Sequence, residues 1–542
     1  MKKDIFGGQK KPITIIVMDG IGETATVAGN AVKAARTPTL DMLAEKYMKF
    51  SLKAHGTAVG LPGDDDMGNS EVGHNALGAG QVFAQGAKLV TQAIETGKMF
   101  EGDSWKSAVA RVKDSGTLHF IGLFSDGNVH SNIAHLKAML VRAKEEGVKR
   151  VRIHILLDGR DVGETSALEY VDPFEAFLSE IKGDGFDVCI ASGGGRMVIT
   201  MDRYEANWAM VEAGWATHVL GEGRQFASAH EAIEAYRAET GKIDQDLPAF
   251  VIGKDGKPVG TIEDGDSVIF YNFRGDRSIE ISRAFEDSEV PFDRKRVPDV
   301  FFAGMLEYDG DKHIPSHYLV APPEISNTMG EYLANKGVRQ LAISETQKYG
   351  HVTYFWNGNR SGYFNEALEE YIEIPSDVVP FEQRPWMKCA EITDVLIEKI
   401  ESGKFEVLRV NFPNGDMVGH TGSFEATVVG VEALDLCLAR ILKAIDKVGG
   451  VAIITADHGN ADEMYELDKK TGEAKLGKTG KPKAKTSHTL NKVPCYIYDN
   501  FYTDSYEKVE GEYGLANVAA TVLTMMGEDV PSMWEKSMIK VK

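Results

Sequence analysis

The stretch Met67-Gly-Asn-Ser70-Glu-Val-Gly-His74 places a serine at the start of a predicted helix over Ser70–Leu77. A serine is a poor nucleophile at neutral pH and needs a base, a lowered pKa or a metal ion to react. The ordinary alternative is a helix N-cap, which is the commonest role of a serine before a helix. The two interpretations are compatible, because a helix N-terminus also stabilises an alkoxide or an attached phosphate.

Acidic and imidazole side chains that could activate this serine lie far from it in the sequence. Carboxylate oxygens combined with imidazoles suit Mn²⁺, Mg²⁺, Co²⁺ or Zn²⁺, and the lack of nearby cysteines disfavours a structural zinc site. Each residue alone has an ordinary explanation, such as a turn or a surface histidine. Together with Ser70 they indicate a metal-activated serine enzyme that acts on phosphate. The residues are Asp19, Asp416, His420, Asp457, His458 and His488.

Length and charge limit the classes of function. The chain has 542 residues, which exceeds one ordinary core and predicts two or three domains. Sixty basic and 81 acidic residues give a net charge of −21, which disfavours nucleic-acid binding and requires a local arginine cluster for any anionic substrate. The four cysteines form no CxxC pair, which predicts reduced thiols and a cytoplasmic location. No segment approaches the roughly 20 apolar residues of a membrane helix, so we expect no membrane partner.

Short apolar runs alternate with amphipathic helical stretches along the chain, which is typical of α/β proteins with mostly parallel sheets. Ligands bind at the carboxyl ends of the strands in such sheets, and most of the polar residues of interest directly follow a predicted strand. A hairpin is also predicted over Val251–Gly260, around Asp255-Gly256. The predicted strands are Ile13–Met18, Leu118–Leu123, Val151–Leu157, Phe186–Ala191, Ser267–Phe273, Val300–Met305, Val407–Phe412, Val451–Thr455 and Cys495–Tyr498.

A second group of polar residues lies in the middle of the chain and is rich in arginine, which binds carboxylate and phosphate through two parallel hydrogen bonds. Three glycines, Gly193 to Gly195, precede Arg196, and we expect them to let the backbone approach a ligand. Arg160-Asp161 pairs an anion binder with a carboxylate that could act as a base; an exposed turn closed by a salt bridge is the ordinary alternative. The group comprises His130, Arg160, Asp161, Arg196, Arg203, Arg274 and Arg277.

The two groups of residues predict a discontinuous metal and serine domain with an anion-binding domain inserted into it. We assign residues 1–84 and 322–542 to the first domain and residues 88–314 to the second. Residues 85–87 and 315–321 are predicted as hinges, the second within a proline-rich stretch that suits a stiff connection.

One motif is rejected. The segment Gly472-Glu-Ala-Lys-Leu-Gly477-Lys478-Thr479 fits the P-loop pattern GxxxxGK[ST]. A P-loop needs a buried strand before it and a helix after it. Charged and glycine-rich residues flank the segment on both sides, so we interpret it as a chance match within an exposed loop, Lys469–Lys485.

Taken in order, the motifs match one family over essentially the whole chain. The chain resembles the cofactor-independent phosphoglycerate mutases, which belong to the alkaline phosphatase superfamily. The number and order of the motifs argue against coincidence. The matching motifs are Val-Met-Asp19-Gly, Met-Gly-Asn-Ser70-Glu-Val-Gly-His-Asn, Asp-Gly-Asn-Val-His130-Ser, Asp-Gly-Arg160-Asp161, Gly-Gly-Gly-Arg196, Met-Asp-Arg203-Tyr, Asn-Phe-Arg274-Gly-Asp-Arg277, Glu-Thr-Gln-Lys348-Tyr, Asp416-Met-Val-Gly-His420-Thr-Gly, Ala-Asp457-His458-Gly-Asn and Ser-His488-Thr.

The resemblance implies an alkaline-phosphatase-like metal domain with a mostly parallel sheet, plus an inserted α/β phosphotransferase domain. It also implies the interconversion of 3-phosphoglycerate and 2-phosphoglycerate in glycolysis and gluconeogenesis, without 2,3-bisphosphoglycerate. Ser70 would become a phosphoserine, Asp161 would take the proton from the 2-hydroxyl, and Lys348 would assist catalysis. The enzyme would be a monomer whose partner is the small-molecule substrate, with neither nucleic acid nor membrane.

The resemblance implies two divalent metal ions, usually Mn²⁺, with Co²⁺, Mg²⁺ or Zn²⁺ as alternatives. It assigns each ligand by motif. One metal is assigned to Asp19, Ser70, Asp457 and His458, the other metal to Asp416, His420 and His488, and the substrate to His130, Arg160, Asp161, Arg196, Arg203, Arg274, Arg277 and Lys348.

Other classes of function stay open at this point. A metal-dependent phosphatase, phosphopentomutase or sulfatase of the same superfamily would share the metal ligands but lack the matched arginine domain. A nucleotide-dependent enzyme would bind ATP at Lys478, and a catalytically dead metal- or metabolite-binding protein would have no turnover. The spacing from Arg196 to Arg203 is one residue longer than in the common bacterial form and resembles the plant and trypanosomatid branch.

Overall fold

The computed structural model describes most of the chain. Arg203, among the predicted substrate ligands, lies outside the described residues, as do Lys478 and Thr479 of the rejected P-loop match. The described residues are 3–61, 63–202, 207–309, 313–323, 325–468, 471–476 and 480–542.

The chain divides into two compact units, each with its own sheet and hydrophobic core. Unit 1 is discontinuous and comprises Met1–Ala84 and Pro323–Lys542. Unit 2 is continuous and comprises Gln85–Pro322. The predicted α/β class with mostly parallel sheets is confirmed in both units.

The strands are short and most are buried. In chain order they are β1 Ile13–Met18, β2 Met48–Lys53, β3 Leu118–Leu123, β4 Arg150–Leu157, β5 Asp187–Gly195, β6 Arg224–Phe226, β7 Phe250–Lys254, β8 Lys257–Pro258, β9 Ser267–Phe270, β10 Phe301–Gly304, β11 Gln340–Glu345, β12 Glu369–Ile374, β13 Val407–Phe412, β14 Val451–Thr455, β15 Val493–Tyr498, β16 Tyr506–Lys508, β17 Tyr513–Gly514 and β18 Ile539–Val541.

The α-helices range from single turns to one long helix of 25 residues. A π-helix, His351–Phe355, directly follows α13. In chain order the α-helices are α1 Ala31–Ala34, α2 Pro38–Lys46, α3 Ser70–Ala79, α4 Gly86–Glu95, α5 Lys98–Glu101, α6 Asp103–Val112, α7 Ile133–Glu145, α8 Ala167–Ile181, α9 Trp208–His218, α10 Ala229–Thr240, α11 Ile279–Glu286, α12 Met329–Asn335, α13 Thr346–Gly350, α14 Cys389–Glu401, α15 Asn414–Gly419, α16 Phe424–Val448 and α17 Asn517–Met525.

The sheet of unit 1 has the strand order β12-β11-β13-β1-β14-β15-β2-β17. The first five strands pair in parallel, and β15 is antiparallel to both of its neighbours. Every residue of β1, β13 and β14 is buried, as expected where helices cover both faces of a parallel sheet. The carboxyl ends of β11, β13, β1 and β14 therefore lie side by side at one edge.

The sheet of unit 2 has the order β10-β9-β3-β4-β5-β7-β6, with β8 paired to β7. Strands β10, β9, β3, β4 and β5 are parallel, whereas β7 runs antiparallel to β5. The β7–β8 pair closes on Asp255 and Gly256, both at positive φ, which confirms the predicted hairpin. The carboxyl ends of β9, β3, β4 and β5 are neighbours and carry the arginine-rich segments.

The predicted strand Phe186–Ala191 would place the glycines before Arg196 after its end. In the structure these glycines are part of the strand, because β5 extends to Gly195. A Cβ on Gly193 would lie 2.5 Å from the Phe250 ring, and one on Gly195 would lie 2.2 Å from the Gln245 carbonyl oxygen. The space beside these glycines is filled by the chain itself. The expectation that they admit a ligand is therefore wrong for Gly193 and Gly195, whose role is close packing within unit 2.

The four cysteines are free thiols. Among the residues that the structure describes, none of the helices combines the length and the apolar character needed to cross a membrane.

Candidate active site

Four neighbouring strands of unit 1 deliver the charged residues of the candidate site. Asp19 directly follows β1, Asp416 follows β13 on the short helix α15, and Asp457 follows β14. Lys348 lies on α13, which begins where β11 ends. All four side chains are buried. The parallel arrangement of these strands gathers residues that are up to 438 positions apart in the sequence.

Ser70 is the first residue of α3, and Asn69 is the N-cap, since its side chain accepts a hydrogen bond from the Val72 amide. The Ser70 Oγ lies 2.9 Å from His458 Nε2 and 3.3 Å from Asp19 Oδ1. The hydroxyl is thus buried among charged groups at the positive end of a helix, where a negative charge on oxygen is stabilised.

Lys348 joins the serine to two of the aspartates. Its Nζ donates to Ser70 Oγ at 2.6 Å, to Asp416 Oδ2 at 2.8 Å and to Asp19 Oδ1 at 3.2 Å. Burial alone would lower the Lys348 pKa, but the charges of Asp19, Asp416 and Asp457 outweigh burial and raise it. Lys348 is therefore a permanent ammonium at this site.

His420 and His488 have the same hydrogen-bonding pattern. Their Nδ1 atoms lie 2.7 Å from the carbonyl oxygens of Thr486 and Gly68, respectively. A carbonyl oxygen can only accept, so each Nδ1 carries the hydrogen and each neutral ring presents a lone pair on Nε2. These two Nε2 atoms lie 3.0 Å apart, and each is 3.1 Å from Asp416 Oδ1. Two lone pairs and a carboxylate that converge in this way need a proton or a cation among them.

His458 completes this pattern. Its Nδ1 lies 3.3 Å from the Gly459 carbonyl oxygen, and its Nε2 faces Ser70, Asp19 at 3.4 Å and Asp416 at 3.8 Å. Histidines that ligate metals commonly donate their other ring N–H to a backbone carbonyl, which fixes the ring and its tautomer. Burial lowers the pKa of His458, which favours the neutral ring that a metal requires.

The three aspartates carry more negative charge than Lys348 balances. Burial, followed by the neighbouring carboxylates, raises the pKa of Asp19, and burial also raises that of Asp457. For Asp416 burial is outweighed by Lys348 and the histidines, which hold its pKa well below the usual range. The Asp457 Oδ2 atom is buried and accepts no hydrogen bond from the described residues. Oxygen and imidazole donors with surplus negative charge fit divalent cations.

The donor atoms form two groups, and within each group they lie within 4.8 Å of one another. The first group is Asp416, His458 and His488, and the second is Asp19, His74 and Asp457. This grouping differs from the one implied by the motifs, because His458 falls with Asp416 and because His74 joins the other aspartates. His420 is also in reach of the first group through Asp416 and His488.

His74 was not among the predicted ligands, and its hydrogen bonds assign it a supporting role. Its Nδ1 lies 2.7 Å from the Ser70 carbonyl oxygen and therefore carries the hydrogen, while its Nε2 accepts from Asn411 Nδ2 at 3.1 Å. Asn411 also donates to Asp19 Oδ2 at 2.7 Å. Both ring nitrogens of His74 are thus engaged, and no lone pair is left for a metal.

In unit 2 the carboxylate of Asp158, which sequence reasoning missed, organises the segment after β4. It accepts hydrogen bonds from the Arg160 and Asp161 amides, at 3.2 and 3.0 Å, and from Arg196 NH1 at 2.9 Å. Arg196 also pairs with Asp161. Ser125, two residues after β3, donates to the other Asp158 oxygen at 2.6 Å. The buried Asp158 thus gathers three of the predicted substrate ligands.

A second carboxylate organises the residues after β9. Asp276 Oδ1 lies 3.1 Å from Arg274 Nε and 3.6 Å from His130 Nδ1. Arg277 NH1 donates to the Met201 carbonyl at 2.5 Å. Asp276 stands inside a quoted motif, so attention to acids beside the predicted arginines would have found it.

Comparison with known proteins places the chain in a family. The model of the metalloenzyme superfamily matches residues 11–530. A protein of Trypanosoma brucei brucei named 2,3-bisphosphoglycerate-independent phosphoglycerate mutase is 50% identical over 540 residues, covering 98% of each chain. One of Leptospira interrogans, named a probable enzyme of this type, is 53% identical over 544 residues, covering 99% of each. The chain belongs to the 2,3-bisphosphoglycerate-independent phosphoglycerate mutase family.

A solved structure agrees with this membership. The crystal structure of Leishmania mexicana phosphoglycerate mutase at low cobalt concentration matches with a TM-score of 0.73 and 48% identity, covering 100% of both chains. The family and fold class predicted from the sequence are therefore confirmed. The metalloenzyme family and the buried donor groups together support divalent metal ions as the cofactor class.

Proposed function

We propose that this chain interconverts 3-phosphoglycerate and 2-phosphoglycerate through a phosphoserine on Ser70, without 2,3-bisphosphoglycerate. The observation that carries the proposal is the environment of the serine. Its Oγ sits at a helix N-terminus, 2.6 Å from Lys348 Nζ and 2.9 Å from His458 Nε2. A nucleophile, a fixed cation and convergent metal donors are the parts that phosphoryl transfer requires.

We propose two divalent cations, with Mn²⁺ as the resident metal and Co²⁺, Mg²⁺ or Zn²⁺ as alternatives. The geometry of the donors supports Asp416, His420 and His488 for one cation. When bound, the cations would lower the pKa of the serine and neutralise phosphoryl oxygens. For the other cation we propose Asp19, Ser70, Asp457 and His458.

The residues of unit 1 would act on the phosphoryl group. Ser70 Oγ forms a bond to phosphorus while the bond from phosphorus to the 3-oxygen breaks. The serine loses a proton and the 3-oxygen gains one, so charge is balanced. The Lys348 ammonium and the positive end of α3 stabilise the negative charge on the transferring group.

The residues of unit 2 would hold the glycerate and move its proton. Asp161 takes the proton of the 2-hydroxyl, whose oxygen then attacks phosphorus and releases Ser70. Arg196 supports anion binding, because it is 1% exposed and its buried Nε donates to no described residue. The proposed substrate ligands are His130, Arg160, Asp161, Arg196, Arg203, Arg274, Arg277 and Lys348.

We further propose that unit 1 is the metal and serine domain and unit 2 the phosphotransferase domain, with the chain crossing between them near residues 84 and 322. The acidic charge of −21 disfavours nucleic acid as a partner, whereas the arginine-rich residues of unit 2 support a small anionic metabolite. A cytoplasmic monomer completes the proposal, and light scattering on the purified protein would measure the oligomeric state.

The deciding experiment removes metal with a chelator, restores Mn²⁺ and follows 3-phosphoglycerate in the absence of 2,3-bisphosphoglycerate. Metal-dependent formation of 2-phosphoglycerate is expected. Release of inorganic phosphate without isomerisation would identify a phosphatase instead, because water would then reach the phosphoserine. No reaction with any divalent metal would contradict an enzymatic function.

A further inference from the structure

Behind the candidate site of unit 1 lies a buried arginine that the predicted mechanism does not use. Arg409 is in the middle of β13 and is 1% exposed. Among the described residues, no carboxylate lies within 4.0 Å of its guanidinium. A buried charge is costly unless hydrogen bonds compensate it. The other contacts of Arg409 must therefore compensate its buried charge.

The main contact of Arg409 is with the π-helix His351–Phe355. Its Nε donates to the carbonyl oxygen of Val352 at 2.7 Å. The Trp356 amide bonds to the His351 carbonyl five residues back, whereas the Asn357 amide bonds to the Thr353 carbonyl four residues back. Because of this change of register, neither of these two amides bonds to the Val352 carbonyl between them. Arg409 donates the hydrogen bond to that carbonyl instead. Single π turns of this kind occur frequently at functional sites.

The π-helix continues α13, which carries Lys348. Val352 follows Lys348 by four residues, so the two positions lie on the same side of the helical segment, one turn apart. A hydrogen bond that fixes the Val352 carbonyl therefore also fixes the backbone from which the Lys348 side chain extends.

Arg409 is itself held by planar contacts. Its guanidinium lies 5.5 Å from the Trp356 ring centre and 5.3 Å from that of Tyr371, as in cation–π contacts. Asn357 donates to the Tyr371 hydroxyl at 2.7 Å, and that hydroxyl donates to Glu369 at 2.7 Å. The arrangement suits a flat, forked guanidinium and not the compact ammonium of a lysine.

The same segment is fastened to the serine helix on its other side. Asn75, on α3, donates to the Phe355 carbonyl at 2.7 Å. A Cβ on Gly78 would lie 2.0 Å from the Trp356 carbonyl oxygen, so α3 and this segment are in close backbone contact. Arg409 thus supports, from the sheet, the segment that sets the distance between Lys348 and Ser70.

We propose that Arg409 is a positioning residue for catalysis, which holds the π-helix so that Lys348 stays aligned with Ser70. This inference rests on the proposed role of Lys348 in phosphoryl transfer. It assigns Arg409 no contact with substrate or metal. Misplacement of a catalytic group by about 1 Å costs about 100-fold in rate, so even a small shift of the segment would be measurable.

The test compares Arg409→Lys with Arg339→Lys, an identical change at an exposed arginine of the same unit. For each variant we would measure kcat and KM for 3-phosphoglycerate with Mn²⁺. We would also measure hydrogen exchange of residues 346–357 in the metal-free protein. Arg409→Lys is expected to lower kcat by about 10- to 100-fold, to change KM by less than about twofold, and to speed exchange at 346–357. Arg339→Lys should match the wild type in all three.

A wild-type kcat and unchanged exchange in Arg409→Lys would overturn the inference. So would a loss of kcat accompanied by faster exchange throughout unit 1, which indicates general destabilisation. If Arg409→Lys does not fold, Tyr371→Phe removes only the hydroxyl link and should lower kcat by about threefold; an unchanged kcat would then overturn the inference. A wild-type enzyme without mutase activity would refute the proposed function, and the exchange measurement would still judge whether Arg409 holds the segment.

Discussion

Lys348 Nζ lies 2.6 Å from Ser70 Oγ, although 278 residues separate the two in the chain. The same ammonium contacts Asp19 and Asp416. It therefore links the nucleophile to carboxylates from both groups of metal donors. Three buried aspartates around one lysine leave surplus negative charge, which explains chemically why cations belong at this site.

Replacing the nucleophile should remove the covalent intermediate. Ser70→Ala is expected to abolish both mutase activity and transfer of radioactive phosphate to the protein, since no other group occupies the position of Oγ. Ser402→Ala, at the exposed end of α14, is the control and should keep both. Near-normal turnover of Ser70→Ala would show that the reaction does not pass through this serine.

Replacing the proposed base should separate the two transfers. Asp161→Asn is expected to form phosphoserine but to slow the second transfer by about 100-fold, since the amide cannot accept the 2-hydroxyl proton. Rapid-quench measurement of phosphoserine per chain is the readout, with exposed Asp172→Asn as the control. If phosphoserine fails to accumulate while turnover falls, Asp161 acts earlier than proposed.

Lys348→Met should affect both rate and stability. Loss of the ammonium is expected to lower kcat by about 100- to 1,000-fold, the usual effect of removing a preorganised charge. In urea unfolding, the metal-free variant should have a free energy of unfolding about 3 kcal/mol below that of the wild type, because three buried aspartates lose their partner. Exposed Lys447→Met is the control. A metal-free variant as stable as the wild type would contradict the ion-pair account.

Metal binding should stabilise the protein. At a hundredfold excess over its Kd, Mn²⁺ should add about 2.7 kcal/mol per site and raise Tm. Asp416→Asn should lose much of this gain, because Asp416 lies within 3.1 Å of both His420 and His488. Exposed Asp394→Asn should retain it. Scanning calorimetry with and without chelator measures the shift, and an unchanged wild-type Tm would argue against metal binding in this group.

Unit 2 contains a buried histidine that should make its stability depend on pH. His218 bonds to Ser192 Oγ at 2.7 Å and to Thr200 Oγ1 at 3.1 Å, and Ser192 also bonds to His154 at 2.7 Å. Burial lowers the His218 pKa to about 3. The neutral ring is therefore accommodated fully above pH 6.5, and stability is lost as pH falls from 6.5 toward 3.

For this single group the loss is about 1.4 kcal/mol for each pH unit in that interval. His218→Asn should remove that part of the slope when urea unfolding is measured at pH 7.5, 6 and 5. His230→Asn, at a partly exposed position, should keep the wild-type slope, apart from a small opposite contribution from its own raised pKa. Equal slopes for the wild type and His218→Asn would show that His218 is already charged in the folded state.

Much of the fold was predictable because its signals are local. The strands Ile13–Met18, Leu118–Leu123, Val407–Phe412 and Val451–Thr455 were predicted with both bounds matching. A continuous apolar run identifies a buried parallel strand without knowledge of its neighbours. Strands β11 and β12 were missed. For β12 the reason is that it carries three glutamates along its length, and its partly exposed position at the edge of the sheet hides the usual apolar pattern.

The sequence by itself determined which side chains stand at the strand ends and what chemistry they can perform, since side-chain type and strand position are properties of short segments. Only the tertiary structure decided which of these side chains meet. The order β11-β13-β1-β14 brings Lys348, Asp416, Asp19 and Asp457 together, and no local pattern encodes strand order. Likewise, Arg409 differs from a surface arginine only in what packs against it, and that packing depends on contacts between segments that are distant in the chain.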